Sequence, residues 1–229
     1  MKYAWIASQK ARWPVSLVCD VLGVSTSDYF EHLRRQGTDK PSIAVTGQRI
    51  SNEAVARQWA TDIFQTFHHD ADWAQFDLGR IEPEPLAQRI AARTGLAEAD
   101  LRHLIASIPA HLLPMQGTVE LIHDLKAQGH RLYFLSNMPA GYADHLVREN
   151  SFFSLFDDGI FSAHVQQIKP LPDIFATAQA RWPLRGQAVF IDDVQHNIDA
   201  AEQHGWQGIR FETSAQVRSA LVGRGYLTA

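Results

Sequence analysis

From residue 115 to the C-terminus the chain alternates between two hydrophobic periods, and nothing else in the sequence constrains the fold as tightly. "TVELIHDLKAQGH" spaces apolar residues three and four apart and stops at Gly129, whereas "RLYFLSN" is an apolar run of strand length. A helix over about 141–150 follows. Then "DGIFSA" predicts a short strand, "LPDIFATAQARW" a helix entered through Pro172, and "QAVFID" a strand. "QHNIDAAEQHG" forms a helix closed by Gly205, "WQGIRF" another strand, and "SAQVRSALVGRG" a last helix with Ser214 as its N-cap. Such alternation builds a parallel sheet with helices on both faces, so the expected class is doubly wound α/β.

Two upstream stretches differ from this. Between about 54 and 113, "AVARQWATDIFQTF", "EPLAQRIAARTG" and "EADLRHLIASI" all carry helical spacing, which suits either a helical cap over a sheet or simply additional packed helices. In residues 2–36, "PVSLVCDVLGVSTSDYFEHLRR" offers two short helices about an "LGVS" turn, with Ser25 or Thr26 placed to cap the second, as in a helix-turn-helix. "RRQGTDKPSIAVTGQR" then reads as linker, broken only by the small apolar run "IAV". The expected division is a leader over 1–55, a helical cap region over 56–113 and an α/β core over 114–229.

With 229 residues, 45% of them hydrophobic, the chain can fill one good core and carry a small appendage. Cys19 is the single cysteine, so neither an internal disulfide nor a thiolate metal cluster can form. No apolar stretch approaches the roughly 20 residues of a membrane helix, and "MKYAWIASQKARW" is too polar for a secretory signal; the expectation is a cytoplasmic protein with no membrane partner. A formal charge of −4 exerts no general pull toward nucleic acid, although residues 1–40 hold six Lys/Arg against four Asp/Glu.

Ligands of parallel sheets bind at the carboxyl ends of the strands. Ser136 and Asn137 end "LYFLSN", Lys169 follows "GIFSA" in "QIKP", and Asp192 and Asp193 end "VFIDD". Taken singly, each has an ordinary reading: a turn, a solvated loop lysine, a helix cap. Taken together they make a phosphate and Mg²⁺ site. A hydroxyl and backbone N–H groups hold phosphoryl oxygens, an ammonium neutralises them, and adjacent carboxylates bind a hard cation that relieves their repulsion.

The succession of strand–Ser–Asn, Lys–Pro, and Ile–Asp–Asp with an Asn four residues on and Ala-x-x-x-Gly beyond resembles the haloacid dehalogenase superfamily, over roughly residues 57–229. "LFDDGIFSAHVQQIKPLPDIF" is similar to its lysine-bearing segment, and "DWAQFDLGRI" to the helical cap of its phosphatase-like members. The resemblance implies a Rossmann-like core and Mg²⁺-dependent hydrolysis of a small phosphorylated metabolite through an aspartyl intermediate. In it Ser136 and Asn137 would bind phosphate, Lys169 would stabilise the phosphoryl group and the nucleophile, and Asp192 and Asp193 would hold Mg²⁺, with Asn197 behind them.

Such an enzyme needs a nucleophilic aspartate at the end of a first, central strand. No segment fits. Asp70-Ala71-Asp72 has the spacing within a polar, helical context, and Asp20 follows an apolar run with Leu22 where the second acid belongs. Instead "MKYAWIASQKARWPVSLVCDVLGVSTSDYFEHLRRQ" resembles the start of an insertion-sequence integrase-type transposase. The expectation is a junction in which a transposase-like leader replaces the central strand, leaving activity impaired or lost. "SIAVTG", residues 42–47, would fill the gap between "RLYFLS" and "QAVFID", with Thr46 where the carboxylate belongs, or the sheet would be distorted.

The alternatives from other classes are a DNA-binding or regulatory protein using the helix-turn-helix, which the small basic surplus disfavours, and an inert fusion product. His68 and His69 with Asp70 and Asp72 could ligate a metal, or form the polar end of a helix. Trp73 and Phe76 suit either a substrate pocket or the core, and His196 and His204 are expected at the solvent face.

Overall fold

A computed structural model of the chain describes residues 71–184 and 188–228. The expected helix-turn-helix, the strand over 42–47, Asp20, His68, His69 and Asp70 lie outside the described residues. No helix among the described residues is long and apolar enough to cross a membrane.

The chain divides into two units, one containing residues 82–112 and the other residues 74–81 with 113–229. In the first, α2 (Pro83–Thr94) starts with its proline in the first turn, where no N–H is needed, and ends on Gly95 in the left-handed conformation. Leu86, Ala87 and Ile90 form its buried stripe. The next helix, α3 (Glu98–His111), buries Leu101, Leu104, Ile105 and Ile108 at the same three- and four-residue spacing. Asp72, in the short α1 (Asp72–Asp77), pairs with Arg89 and Arg93, each at 3.6 Å.

The second unit follows the alternation expected from the sequence. Its elements are α4 (Gln116–Ala127), β1 (Tyr133–Ser136), α5 (Ala140–Glu149), β2 (Asp158–Phe161), α6 (Ser162–Val165), α7 (Pro172–Arg181), β3 (Val189–Asp192), α8 (Gln195–Gln203), β4 (Gln207–Arg210) and α9 (Ser214–Gly223). Three details differ from expectation. Ser162 and Ala163 begin the one-turn α6 rather than prolonging β2. The cap of α9 is Thr213, whose extended backbone lets its Oγ1 accept the Gln216 N–H at 3.0 Å, and Ser214 is already helical. His204 is not simply at the solvent face, because it stacks on the buried Phe175 at 5.5 Å.

Two parallel pairs form, β1 with β2 and β3 with β4, and among the described residues they are not hydrogen-bonded to each other. Among the described residues the break falls between "RLYFLS" and "QAVFID". All four residues of β1 are half-buried.

Strand alternation nevertheless sends side chains to two separate apolar layers. Tyr133, Leu135, Ile160 and Phe190 meet α7 and α8 through Ile174, Phe175, Ala178, Ile198 and Ala201. On the opposite face Val189, Ile191 and Ile209 meet α4 and α9 through Leu121, Val217 and Leu221. This is the doubly wound arrangement. In β2, Gly159 is required by packing, since a Cβ there would come within 2.1 Å of the Phe134 ring.

Candidate active site

Three loops at the carboxyl ends of the strands are tied together by side chains. Asn137, just after β1, donates through Nδ2 to the Lys169 carbonyl and accepts the Lys169 N–H on Oδ1, both at 2.9 Å. This reciprocal pair fixes the loop after α6 against the end of β1. From that loop Lys169 sends its ammonium to Asp192 Oδ2 at 2.6 Å, passing over the Phe190 ring at 5.5 Å from its centroid. Phe190 and Asp192 lie two apart on β3 and therefore on the same face, so strand period alone places the ring beneath the ion pair.

Only 8% of the Lys169 side chain and 7% of the Asp192 side chain is exposed. A pair so removed from water persists only when its remaining lone pairs are satisfied. Here they are: Asp192 Oδ1 accepts the Val194 N–H and the Asn197 Nδ2 amide, both at 2.9 Å, with Asn197 itself buried. Asp193, the next residue, is exposed. Ser136, partly exposed, ends β1 in register with Phe161. Asn137, Lys169 and Asp192 are thus linked at the carboxyl ends of β1 and β3, with Ser136 next to Asn137 in the chain and the second carboxylate, Asp193, exposed.

No group of three or more His, Cys, Asp or Glu among the described residues is placed to hold a metal ion. Asp192 and Asp193 still suit Mg²⁺ chemically, because that ion is held by one or two carboxylates and takes its other oxygens from water and phosphate. Asp192 has both oxygens engaged by protein donors, so Asp193 is the carboxylate with free capacity.

One further carboxyl near the ends of β1 and β2, that of Asp77, belongs to none of these motifs. Residues 76–79, "FDLG", are anchored against the ends of β1 and β2. Phe76 and Leu78 are buried, with Phe76 meeting the Tyr142 ring edge-on at 5.4 Å. Ser162 Oγ accepts the Met138 N–H at 2.8 Å and donates to the Asp77 carbonyl at 2.5 Å. Gly79, at φ +68°, closes the turn against Ala163, in a backbone region that favours glycine. Burial pushes the Asp77 carboxyl up to about 7, partly opposed by the nearby Lys169 charge. The Tyr142 phenol is also pushed upward, by burial and then by the Asp77 charge. The available signal was the alternation Ala74, Phe76, Leu78, three buried residues bracketing an acid immediately before Leu-Gly. Of the sequence candidates for a nucleophile, Asp72 is instead committed to Arg89 and Arg93. Phe76 takes its packing role, held in the core.

A family model described as haloacid dehalogenase-like hydrolase matches residues 75–205, more than half of the chain. The chain is similar to a sesquiterpene phosphatase of Aspergillus oryzae, 25% identical over 166 residues that cover 71% of this chain and 84% of that protein. Its fold is similar to an HAD-like family hydrolase from Porphyromonas gingivalis, with a TM-score of 0.56, 20% identity, and coverage of 75% of this chain and 90% of the other. A second similar structure is an HAD family enzyme from Bacteroides thetaiotaomicron in complex with magnesium and inorganic phosphate, with a TM-score of 0.52, 20% identity, and coverage of 68% and 82%. Parallel strand pairs, helices on both faces and an extended match to the family model lead to one assignment: this chain belongs to the haloacid dehalogenase-like hydrolases.

Proposed function

We propose that this chain binds small phosphate monoesters at the edge formed by Ser136, Asn137, Lys169, Asp192 and Asp193, and that its hydrolytic turnover is weak or absent. The observation that carries this reading is the buried Lys169–Asp192 pair at 2.6 Å, an ammonium held by the fold at the carboxyl end of the strands. A phosphoryl group arriving there offers Lys169 a second anionic partner, while Ser136 and the backbone N–H groups after β1 suit the remaining oxygens. Mg²⁺ would be held by Asp193 and, once Lys169 turns toward phosphate, by Asp192, and would supply charge neutralisation at the phosphoryl oxygens. Asn197 keeps the Asp192 carboxylate oriented throughout.

Turnover is the weak link. Covalent hydrolysis of this kind needs an ionised aspartate aimed at phosphorus. Asp77 is the further carboxyl near Lys169, and with its proton lost only around pH 7 it is poorly prepared for attack. The phosphatase relative and the magnesium and phosphate complex of a structural neighbour support the ligand class. We place the protein in the cytoplasm, acting on a soluble phosphorylated metabolite.

The test is calorimetric titration of the full chain with inorganic phosphate, with and without Mg²⁺, alongside hydrolysis of p-nitrophenyl phosphate. Binding that strengthens with Mg²⁺ and disappears in Lys169→Met, with turnover far below that of an active phosphatase, is expected. Phosphate binding indifferent to Lys169→Met would overturn the site, and rapid turnover would overturn the impaired chemistry.

A further inference from the structure

We infer that Ser162 is a positioning residue of the phosphate site: its buried hydroxyl sets the Met138 amide, and through it the Ser136–Asn137 turn, by fastening that turn to the backbone of Asp77. This deepens the proposed function and rests on the phosphate reading of the turn after β1.

The end of the sheet ladder creates the need. β1 and β2 keep their parallel register as far as Ser136 opposite Phe161, and at the next residue the chain of β2 turns into α6. Beyond that point the N–H groups following β1 have no strand opposite them, and a buried N–H without an acceptor is costly. Ser162 is the first residue past the register. It is wholly buried, at 0% exposure, and its Oγ accepts the Met138 N–H at 2.8 Å. The same hydroxyl donates to the Asp77 carbonyl at 2.5 Å. A hydroxyl has one proton to give, so its orientation is set by the donor on one side and the acceptor on the other.

Two clamps therefore act on consecutive residues. The Asn137 side chain is held by the Lys169 backbone in its reciprocal pair, and the Met138 backbone is held by Ser162. A turn fastened at one point can pivot about it, whereas fastening at two neighbouring points fixes its direction. The Met138 N–H is spent inside the protein, so its contribution is position rather than contact with a ligand. What it positions is Ser136, two residues back, and an anion site binds well only when its donors are in place beforehand. The far end of the bridge is firm as well. Phe76 and Leu78, on either side of Asp77, are buried, and Gly79 lies against Ala163, the neighbour of Ser162 in the chain.

Calorimetric titration of the full chain with inorganic phosphate in Mg²⁺ compares the wild type with Ser162→Ala and Asp158→Ala. Asp158 begins the same strand at its other end, where both its oxygens pair with Arg181, so its loss weakens β2 without touching the site. Ser162→Ala is expected to weaken phosphate binding about tenfold, while Asp158→Ala binds as the wild type does. Unchanged affinity in Ser162→Ala, or equal weakening in both variants, would make Ser162 merely structural and overturn the inference while leaving the phosphate site intact. If Ser162→Ala does not fold by circular dichroism, amide hydrogen exchange of the wild-type chain decides. Phosphate is then expected to slow exchange around Met138 and around Asp77 together, and protection of the Met138 segment alone overturns the inference. Failure of the wild-type chain to bind inorganic phosphate removes the site itself, and the role of Ser162 with it.

Discussion

Replacing Asp77 by asparagine changes how stability depends on pH, and the size of the change follows from its burial. The carboxyl titrates near 7 in the folded chain against an ordinary value of 3.8. Its folded value is raised, so the folded state keeps a proton that the unfolded state has released. The associated stability is therefore complete below about pH 3.8, falls as pH rises through 7, and then levels off. Integrating between about pH 5 and pH 8 gives a loss of about 2.6 kcal/mol for this single group. Other groups contribute alike to both chains, so the quantity to compare is the wild-type loss minus that of Asp77→Asn, whose amide does not ionise. Urea unfolding at several pH values, followed by near-ultraviolet circular dichroism and tryptophan fluorescence, reports on this unit because Trp182 and Trp206 are buried in its apolar layer. A wild-type curve parallel to that of the variant, or one rising from pH 5 to 8 relative to it, would refute the placement of a buried carboxyl beside Lys169.

Two further changes test the fold around the site. Lys169→Met leaves the Asp192 carboxylate buried without its cation and is expected to cost about 3–5 kcal/mol, partly recovered in Lys169→Met/Asp192→Asn; a cost below about 1 kcal/mol by urea unfolding would mean the pair is not buried. Thr213→Ala should remove the cap of α9 at a cost of about 1 kcal/mol while Ser214→Ala is nearly neutral, and equal melting temperatures for the two variants would contradict the capping geometry.

Apart from the one-turn α6, the sequence by itself determined the order and type of the long helices and the strands from Gln116 onward, because each carries its own period and its own stop: Gly129 and Gly205 adopt the positive φ that ends their helices, and Pro172 opens α7. It also determined which residues stand at the carboxyl ends of the strands, since Asn137, Lys169 and Asp192 follow directly from strand position. Pairing among those residues belongs to the tertiary structure. That Asp192 turns inward to Lys169 and Asn197 while Asp193 faces solvent depends on the twist and face of β3, and two adjacent aspartates look alike in a string of letters. Thr213 rather than Ser214 caps α9 for a similar reason, because both can cap and only the backbone angle at the turn chooses. Asp77 was hidden most deeply. Its raised proton affinity arises from burial, against the opposing charge of Lys169, 92 positions away in the chain, and no local pattern carries the low-dielectric surroundings that long-range packing creates.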